Sequence, residues 1–166
     1  MPRAAVLALL AAAIAIVAAS AQPAPPTPIR WSAGEIAGAV KPGQTMIVPI
    51  AALIDEGWHL YALEPVEGGP IPTQLSAGPN PPFALNEKDI VRPEPKRAQD
   101  SNFGTETAFY EESAAFELPI AIAVTAAPTQ RDLEIIARFQ ACNDRICLRP
   151  QTATMKVKVS VERSVR

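Results

Sequence analysis

Cysteine and histidine are scarce in this chain of 166 residues, which contains two cysteines and one histidine. A structural zinc site takes about four such ligands, so we expect no site of that kind. The sequence also lacks a C-x-x-C-H haem attachment motif, a thioredoxin-type C-x-x-C motif, a glycine-rich phosphate loop and a nucleophile elbow. We therefore predict neither a metal nor an organic cofactor.

An excess of charge of one sign is also missing. The 15 Lys and Arg residues nearly balance the 17 Asp and Glu residues, and the net charge is −2. Without a basic stripe, nucleic acid is not an expected partner. No segment keeps a helical period for three turns, and no apolar run after residue 19 is long enough to cross a membrane.

The one long apolar run lies at the N-terminus. A basic start leads into an uncharged run, which is followed by Ala-Ser-Ala at residues 19–21, a pattern typical of signal-peptide cleavage. The run is shorter than the roughly 20 residues of a membrane-spanning helix. We predict a cleaved signal peptide over residues 1–21, a proline-rich spacer over residues 22–28 and one domain over residues 29–162. Export would place the domain in the periplasm, where disulfides persist.

Alternation of apolar and polar side chains predicts that the domain is built from strands. Candidate strands cover residues 45–54, 58–63, 72–77, 83–91, 116–124, 132–140 and 155–161. About eight short strands separated by turn residues predict an all-β, immunoglobulin-like two-sheet sandwich. Pro49 and Pro119 cannot donate to a strand ladder, so we expect them on edge strands or at bulges.

The two cysteines, Cys142 and Cys147, are separated by a short polar turn between two candidate strands. Alternation places Phe139 and Ala141 on the core face, so Cys142 should point away from the core with its sulfur exposed. A ring this small stabilises a fold by roughly 2 kcal/mol, against about 4–5 kcal/mol for a long loop. The spacing therefore favours thiol–disulfide exchange over a structural bridge, which is the main alternative. A Cys/His hydrolase using His59 is less favoured, because His59 fits a strand residue held by a hydrogen bond.

Four separated stretches resemble the N-terminal periplasmic domain of the thiol:disulfide interchange protein DsbD. Residues 139–150 resemble its active-site hairpin, and residues 57–61 (Gly-Trp-His-Leu-Tyr) and 68–73 (Gly-Gly-Pro-Ile-Pro-Thr) resemble two further stretches. Residues 100–104, followed by Phe109 and Tyr110, fall where the cap loop of that domain lies. The resemblance covers about residues 30–161 and keeps the order of the motifs.

The resemblance implies residue roles. Cys147 would form the mixed disulfide with a partner, and Cys142 would resolve it. Phe103 would be the aromatic cap that shields the pair, Asp100 would be an acidic residue beside it, and Tyr61 would line it. The chain departs from the family in two places, since the second acid of the cap is missing and His59 stands where an aromatic residue is usual.

The resemblance also implies partners and a direction of electron transfer between them. A thioredoxin-like electron donor and a membrane reductase, both acting in trans because the sequence ends at Arg166, would reduce the pair. Oxidised periplasmic thiol proteins, including those of cytochrome c maturation, would accept the electrons. We therefore expect a monomeric, periplasmic thiol–disulfide exchange protein. The alternative is a non-catalytic binding module of the same fold whose disulfide is only structural.

Overall fold

The computed structural model describes residues 27–78 and 81–163. The predicted signal peptide and most of the predicted spacer lie outside the described residues. The described residues form twelve strands and one short 3-10 helix, Glu87–Asp89. The strands are β1 (Ile29–Ala33), β2 (Ala39–Val40), β3 (Thr45–Ile54), β4 (His59–Tyr61), β5 (Gln74–Ala77), β6 (Phe83–Leu85), β7 (Lys96–Asp100), β8 (Thr105–Tyr110), β9 (Ser113–Ile122), β10 (Thr129–Phe139), β11 (Ala141–Cys142) and β12 (Gln151–Val161).

Two four-stranded sheets form a sandwich around one core. Sheet A has the order β1-β3-β9-β6, and sheet B has the order β2-β12-β10-β5. Trp31 of sheet A lies between the sheets, with its ring centroid 6.0 Å from that of Phe116 and 5.6 Å from that of Phe139 in sheet B. Apolar side chains of both sheets belong to the same buried cluster. The predicted all-β sandwich is confirmed.

Period-two alternation located the long strands well. The prediction of a strand over residues 45–54 matches β3, and the side chains of Leu133, Ile135 and Ala137 in β10 are buried as the alternation predicts. The predicted strand over residues 83–91 is wrong after Leu85. Asn86 ends it, since its side-chain oxygen accepts a hydrogen bond from the Lys88 amide and so caps the 3-10 helix.

The placement of the two prolines is also corrected. Both β3 and β9 are internal strands of sheet A, so neither Pro49 nor Pro119 lies on an edge strand. Each proline instead lies one residue beyond the last pair that its strand makes with the outer strand, which is Ala33↔Ile50 for β3 and Leu85↔Ile120 for β9. The Pro49 carbonyl still accepts a hydrogen bond from the Gly34 amide at 2.8 Å, but proline cannot donate one back, so the pairing with the outer strand ends at this residue.

A third sheet, absent from the predicted two-sheet architecture, carries the cysteine hairpin. Sheet C has the order β11-β4-β8-β7. Sequence alternation did not find β7 because four of its five residues are exposed, and β11 has only two residues. Leu60 of β4 and Ala141 of β11 are paired and face the core, so the alternate residues of these strands face the other way. Within the described parts of the chain, no helix has the length and apolar character needed to cross a membrane.

Candidate functional site

Residues 140–150 form an insertion at the end of a long hairpin. β10 and β12 pair up to Phe139↔Gln151, after which the chain turns back on itself. The Asn143 amide donates to the Ile146 carbonyl at 2.9 Å, and the Leu148 amide donates to the Ala141 carbonyl at 2.9 Å. The side-chain oxygen of Asn143 accepts hydrogen bonds from the amides of Arg145 and Ile146, both at 2.9 Å. Asparagine thus closes the turn through its own side chain, and the turn holds its shape through local hydrogen bonds.

Cys142 and Cys147 form a disulfide across this turn. Their Cα atoms are 4.1 Å apart, and the two residues oppose each other as an isolated antiparallel bridge. The prediction of an intramolecular disulfide within one hairpin is confirmed. The alternation of side chains along β11 places Cys142 on the face opposite that of its neighbour Ala141, as expected.

The expectation that Cys142 exposes its sulfur is wrong. Cys142 is completely buried, with 0% of its surface exposed, whereas Cys147 is partly exposed. Cys142 is buried on this face because β11 pairs with β4 in sheet C, which places His59 directly opposite Cys142. Directly opposed residues of an antiparallel pair share one face, so the His59 and Cys142 side chains project on the same side.

Asp100, at the end of β7, is the electrostatic centre of this face. Its Oδ2 accepts a hydrogen bond from the Tyr61 hydroxyl at 2.6 Å and from the Thr107 hydroxyl at 3.2 Å. Its Oδ1 accepts from the Asn102 amide at 2.8 Å. Burial alone would raise the pKa of Asp100, but these three hydrogen bonds and the nearby His59 outweigh it and lower that pKa. Asp100 is therefore an ionised carboxylate.

Tyr61 is held in its protonated form by the same contact. Burial raises the pKa of Tyr61, and the hydrogen bond to the Asp100 carboxylate raises it further. Its ring meets the Phe103 ring edge-on, with centroids 5.9 Å apart. Tyr61 thus links the buried carboxylate to the aromatic residue of the predicted cap.

His59 is the third polar member of the cluster. Its Nε2 lies 3.1 Å from the Tyr61 hydroxyl oxygen and 4.0 Å from Asp100 Oδ2. Its ring packs against Phe109, with centroids 4.9 Å apart. Burial lowers the pKa of His59, and the carboxylates of Asp100, Glu111 and Asp144 offset only part of this effect. The imidazole is therefore neutral near neutral pH.

The predicted cap is a tight turn between β7 and β8. The Gly104 amide donates to the Asp100 carbonyl at 2.8 Å, and Gly104 has a φ of +68°, a conformation that favours glycine. Phe103 is half-buried at the tip of this turn. The Asn102 side-chain amide donates to the Asn143 carbonyl at 3.1 Å, which ties the cap turn to the cysteine hairpin. The shielding role of Phe103 stays a prediction.

The structure brings together all six residues that the sequence singled out. The disulfide, His59, Tyr61, Asp100 and Phe103 are connected through pairs, hydrogen bonds and ring contacts in and around sheet C. Sequence reasoning missed Gln140, whose Oε1 accepts from the Ile71 amide at 3.0 Å and whose Nε2 donates to the Leu148 carbonyl at 3.1 Å. It also missed Thr107, because β8 was not predicted. A polar side chain two residues before the first cysteine, in Phe-Gln-Ala-Cys, could have drawn attention to Gln140.

The described residues contain no group of three or more His, Cys, Asp or Glu side chains that could hold a metal ion. The site as described brings together a disulfide, the half-buried His59 and the buried Tyr61 and Asp100. A disulfide of this kind can exchange with a thiolate that reaches its accessible sulfur.

Comparison with solved structures gives weak likenesses. The N-terminal domain of Neisseria meningitidis DsbD in the reduced form is 17% identical, with a TM-score of 0.49 over 68% of this chain and 77% of that chain. A family 123 glycoside hydrolase from Clostridium perfringens is 11% identical, with a TM-score of 0.38 over 80% of this chain and 27% of that chain. Both TM-scores are below 0.5, so neither likeness supports a functional argument.

Comparison with protein families is more decisive. No curated protein sequence matches the chain. Residues 30–159, however, match the family described as "Thiol:disulfide interchange protein DsbD, N-terminal". This match spans nearly all of the described domain and includes both cysteines, His59, Tyr61, Asp100 and Phe103. The chain therefore belongs to the family of N-terminal domains of the thiol:disulfide interchange protein DsbD.

Proposed function

We propose that this chain is a periplasmic relay that passes reducing equivalents from a thioredoxin-like donor, served by a membrane reductase, to oxidised periplasmic proteins. The observation that carries the proposal is the unequal burial of the two sulfur-bearing residues, since Cys142 is fully buried while Cys147 is partly exposed. An attacking thiolate needs access to the sulfur that it attacks. The accessible residue, Cys147, therefore forms the bond to a partner.

Reduction of the Cys142–Cys147 disulfide by the donor takes two thiol–disulfide exchange reactions. A donor thiolate attacks Cys147 Sγ, a bond forms between the donor and Cys147, and Cys142 leaves as a thiolate that takes up a proton. The second donor thiol, as its thiolate, then attacks the donor sulfur of this mixed disulfide, and Cys147 leaves as a thiolate. The donor ends oxidised, and the relay holds the two electrons as a dithiol.

Reduction of the acceptor by the Cys142/Cys147 dithiol also takes two exchange reactions. The Cys147 thiolate attacks the acceptor disulfide, and one acceptor sulfur leaves. Cys142 loses its proton and attacks Cys147 Sγ, which re-forms the Cys142–Cys147 bond and releases the second acceptor sulfur. In both half-reactions Cys147 forms the mixed disulfide with the partner, and Cys142 exchanges only with Cys147.

A purely structural role fits the hairpin poorly. The turn is already closed by two backbone hydrogen bonds and by the Asn143 side chain. The ring closed by residues five positions apart stabilises the fold by only about 2 kcal/mol in the chain-entropy treatment. A bridge built for stability would join distant strands.

Trapping of mixed disulfides tests the assignment of roles. Cys142→Ser leaves Cys147 able to attack but without a resolving thiol, so partners should stay bound and appear as mixed disulfides on a non-reducing gel of periplasmic extract. Cys147→Ser is the matched control, since it keeps one cysteine but hides it, and should trap far less. Equal trapping by both variants would overturn the assignment of Cys147 as the contact sulfur.

The reduction potential separates the relay from the structural alternative. Structural disulfides of secreted proteins have potentials below about −300 mV, whereas exchange proteins lie above that value. We expect a potential in the exchange range, measured by equilibration with glutathione or thioredoxin buffers. A value below about −300 mV, together with no trapping by Cys142→Ser, would support the structural bridge.

The periplasmic location has its own test. Cleavage after Ala21 would give a mature protein that begins at Gln22. N-terminal sequencing of the protein recovered from the periplasm should read Gln-Pro-Ala-Pro-Pro. Recovery of the uncleaved chain in the cytoplasm would contradict the export proposal.

A further inference from the structure

A buried resolving cysteine needs a way to lose its proton. Cys142 is fully buried, and burial favours the neutral thiol over the thiolate. The thiolate is nevertheless the form that attacks a disulfide. Because Cys142 is fully buried in the disulfide form, few water molecules would reach its thiol near neutral pH, and a proton acceptor within the protein would speed its attack.

His59 lies where such an acceptor is needed. It is the residue directly opposite Cys142 in the β4–β11 pair, and opposed residues share one face of the sheet. Side chains of directly opposed residues start about 5 Å apart at Cβ, which is within the reach of an imidazole and a thiol. His59 is also the only histidine in the chain.

The hydrogen bonds around Tyr61 determine which imidazole nitrogen is available. The Tyr61 hydroxyl has one proton, and it donates that proton to the ionised Asp100 carboxylate at 2.6 Å. Its contact with His59 Nε2 at 3.1 Å must therefore be a hydrogen bond donated by the imidazole. Neutral His59 thus carries its proton on Nε2, and the lone pair of Nδ1 is free to accept another.

Charged groups around His59 can stabilise the imidazolium that would form. The Asp100 carboxylate lies 4.0 Å from Nε2, and the carboxylates of Glu111 and Asp144 also favour the charged form. Burial opposes that form and prevails in the resting protein, so the imidazole begins as a neutral base. A base that is neutral at the working pH and can be charged transiently suits proton transfer.

We propose that His59 Nδ1 takes the proton of the Cys142 thiol during resolution, with Tyr61 and Asp100 holding the ring in the required tautomer. This inference rests on the proposed exchange function. As the proton passes to Nδ1, the Cys142 sulfur attacks Cys147 Sγ, the Cys142–Cys147 bond forms, and the partner sulfur leaves with the electron pair of the broken bond. The imidazolium then returns its proton to water. Electrons and protons balance without another reactant.

The disulfide reagent dithiobis(nitrobenzoate), which releases a coloured thiolate each time a thiol displaces one of its halves, distinguishes the two steps. Reduced protein should release one coloured thiolate when Cys147 attacks the reagent and a second when Cys142 displaces the reagent sulfur from Cys147. Cys142→Ser is expected to show only the first release, which identifies the second phase as resolution. If the wild-type protein shows no second release, the exchange function itself fails.

The second phase is then compared between His59 variants. His59→Gln keeps an amide that can donate to Tyr61 but offers no proton acceptor near neutral pH, and His59→Phe keeps the ring packing on Phe109. We expect both to slow the second phase by about 100-fold near neutral pH, with a far smaller effect on the first phase. The difference should vanish near the thiol pKa, above about pH 9, where hydroxide ionises the thiol directly.

The pH profile distinguishes proton acceptance from a structural effect. In the wild-type protein, the second-phase rate should level off above the pKa of His59, whose single imidazole signal can be titrated by NMR. In both variants that inflection should be lost, and the rate should rise tenfold per pH unit. A wild-type profile identical to that of His59→Gln, or an NMR spectrum showing the neutral ring protonated on Nδ1, would overturn the proposal while leaving the exchange function intact.

Discussion

Asp100 shows how one buried side chain organises the site. Only 7% of its surface is exposed, and an ionised carboxylate is costly to bury unless it is well hydrogen-bonded. Tyr61, Thr107 and the Asn102 amide supply three donors, which come from three different segments of sheet C and its cap turn. The charge of Asp100 therefore holds the strand of His59, the strand of Thr107 and the cap turn in fixed relation.

Asp100→Asn should change how stability depends on acidity. The pKa of Asp100 is lowered in the folded protein, so its contribution to stability is present above the unfolded value of about 3.8 and is lost as the pH falls below that value. We expect Asp100→Asn to be less stable than wild type near neutral pH. The difference in unfolding free energy should shrink as the pH falls below about 4.

Urea unfolding of both proteins at several pH values measures this difference. The other carboxyl groups titrate in both proteins, so only the difference between the two reports Asp100. A constant difference across the acid range would show that the carboxylate is not held in its charged form by these donors.

The cap turn and the cysteine hairpin lie in contact with each other. Asn102 donates one hydrogen bond to the hairpin, and Phe103 meets Tyr61 edge-on from the same turn. The hairpin itself is anchored on its other side by Gln140, which bonds both Ile71 and Leu148. Gln140 anchors the hairpin, and Asp100 anchors the backbone of the cap turn, so we expect the Phe103 side chain to be the part that moves when a partner approaches Cys147.

Phe103→Ala should therefore make the disulfide easier to reach. We expect a bulky thiol reductant to open the Cys142–Cys147 bond faster in this variant, because a large apolar ring has been removed from the cap. Asn102→Ala should act in the same direction by releasing the turn from Asn143. Ser101→Ala, at an exposed position of the same turn, serves as the matched control.

The rate is read from the loss of the disulfide by quench with an alkylating reagent and mass spectrometry. A small reductant should show a smaller difference between the variants than a bulky one. Identical rates for Phe103→Ala and Ser101→Ala with the bulky reductant would show that Phe103 does not shield the pair.

The whole molecule depends on its sandwich rather than on its disulfide. The core is continuous between sheets A and B, and residues such as Leu133, Ile135 and Val159 have no exposed surface. The disulfide lies at one end, in an insertion that the long β10–β12 hairpin carries beyond its last pair. We therefore expect oxidation and reduction of the pair to proceed without unfolding of the domain.

Reduction of the disulfide should cost little stability. We expect the free energy of unfolding to fall by about 2 kcal/mol or less on reduction, since the ring is small and its turn is independently hydrogen-bonded. Ile135→Ala, which opens a cavity in the core, should cost about 2–5 kcal/mol. Urea unfolding with and without a reductant compares the two, and complete unfolding on reduction would contradict this distribution of stability.

Alternation and local turn chemistry were enough to predict the long strands, the hairpin and the face of Cys142. Apolar side chains recur at every second residue in the four long strands β3, β9, β10 and β12, because one face of each strand is buried. Such a pattern can be recognised from the sequence alone. The family resemblance added His59, Tyr61, Asp100 and Phe103 as residues of interest. It could not say which of them touch, because their contacts join segments up to 42 residues apart, as for Tyr61 and Phe103.

Only the tertiary structure revealed three features of the site. They are sheet C, the burial of Cys142 and the hydrogen-bonded chain of His59, Tyr61 and Asp100. β7 and β11 are too polar or too short for a periodic signal, so their pairing with β8 and β4 had to be seen in three dimensions. The alternation of side chains in the sequence predicted that Cys142 lies on the face opposite Ala141. Whether Cys142 is exposed on that face depends on what packs against it. That face is covered because strands distant in sequence meet there, and a local pattern carries no information about such a meeting.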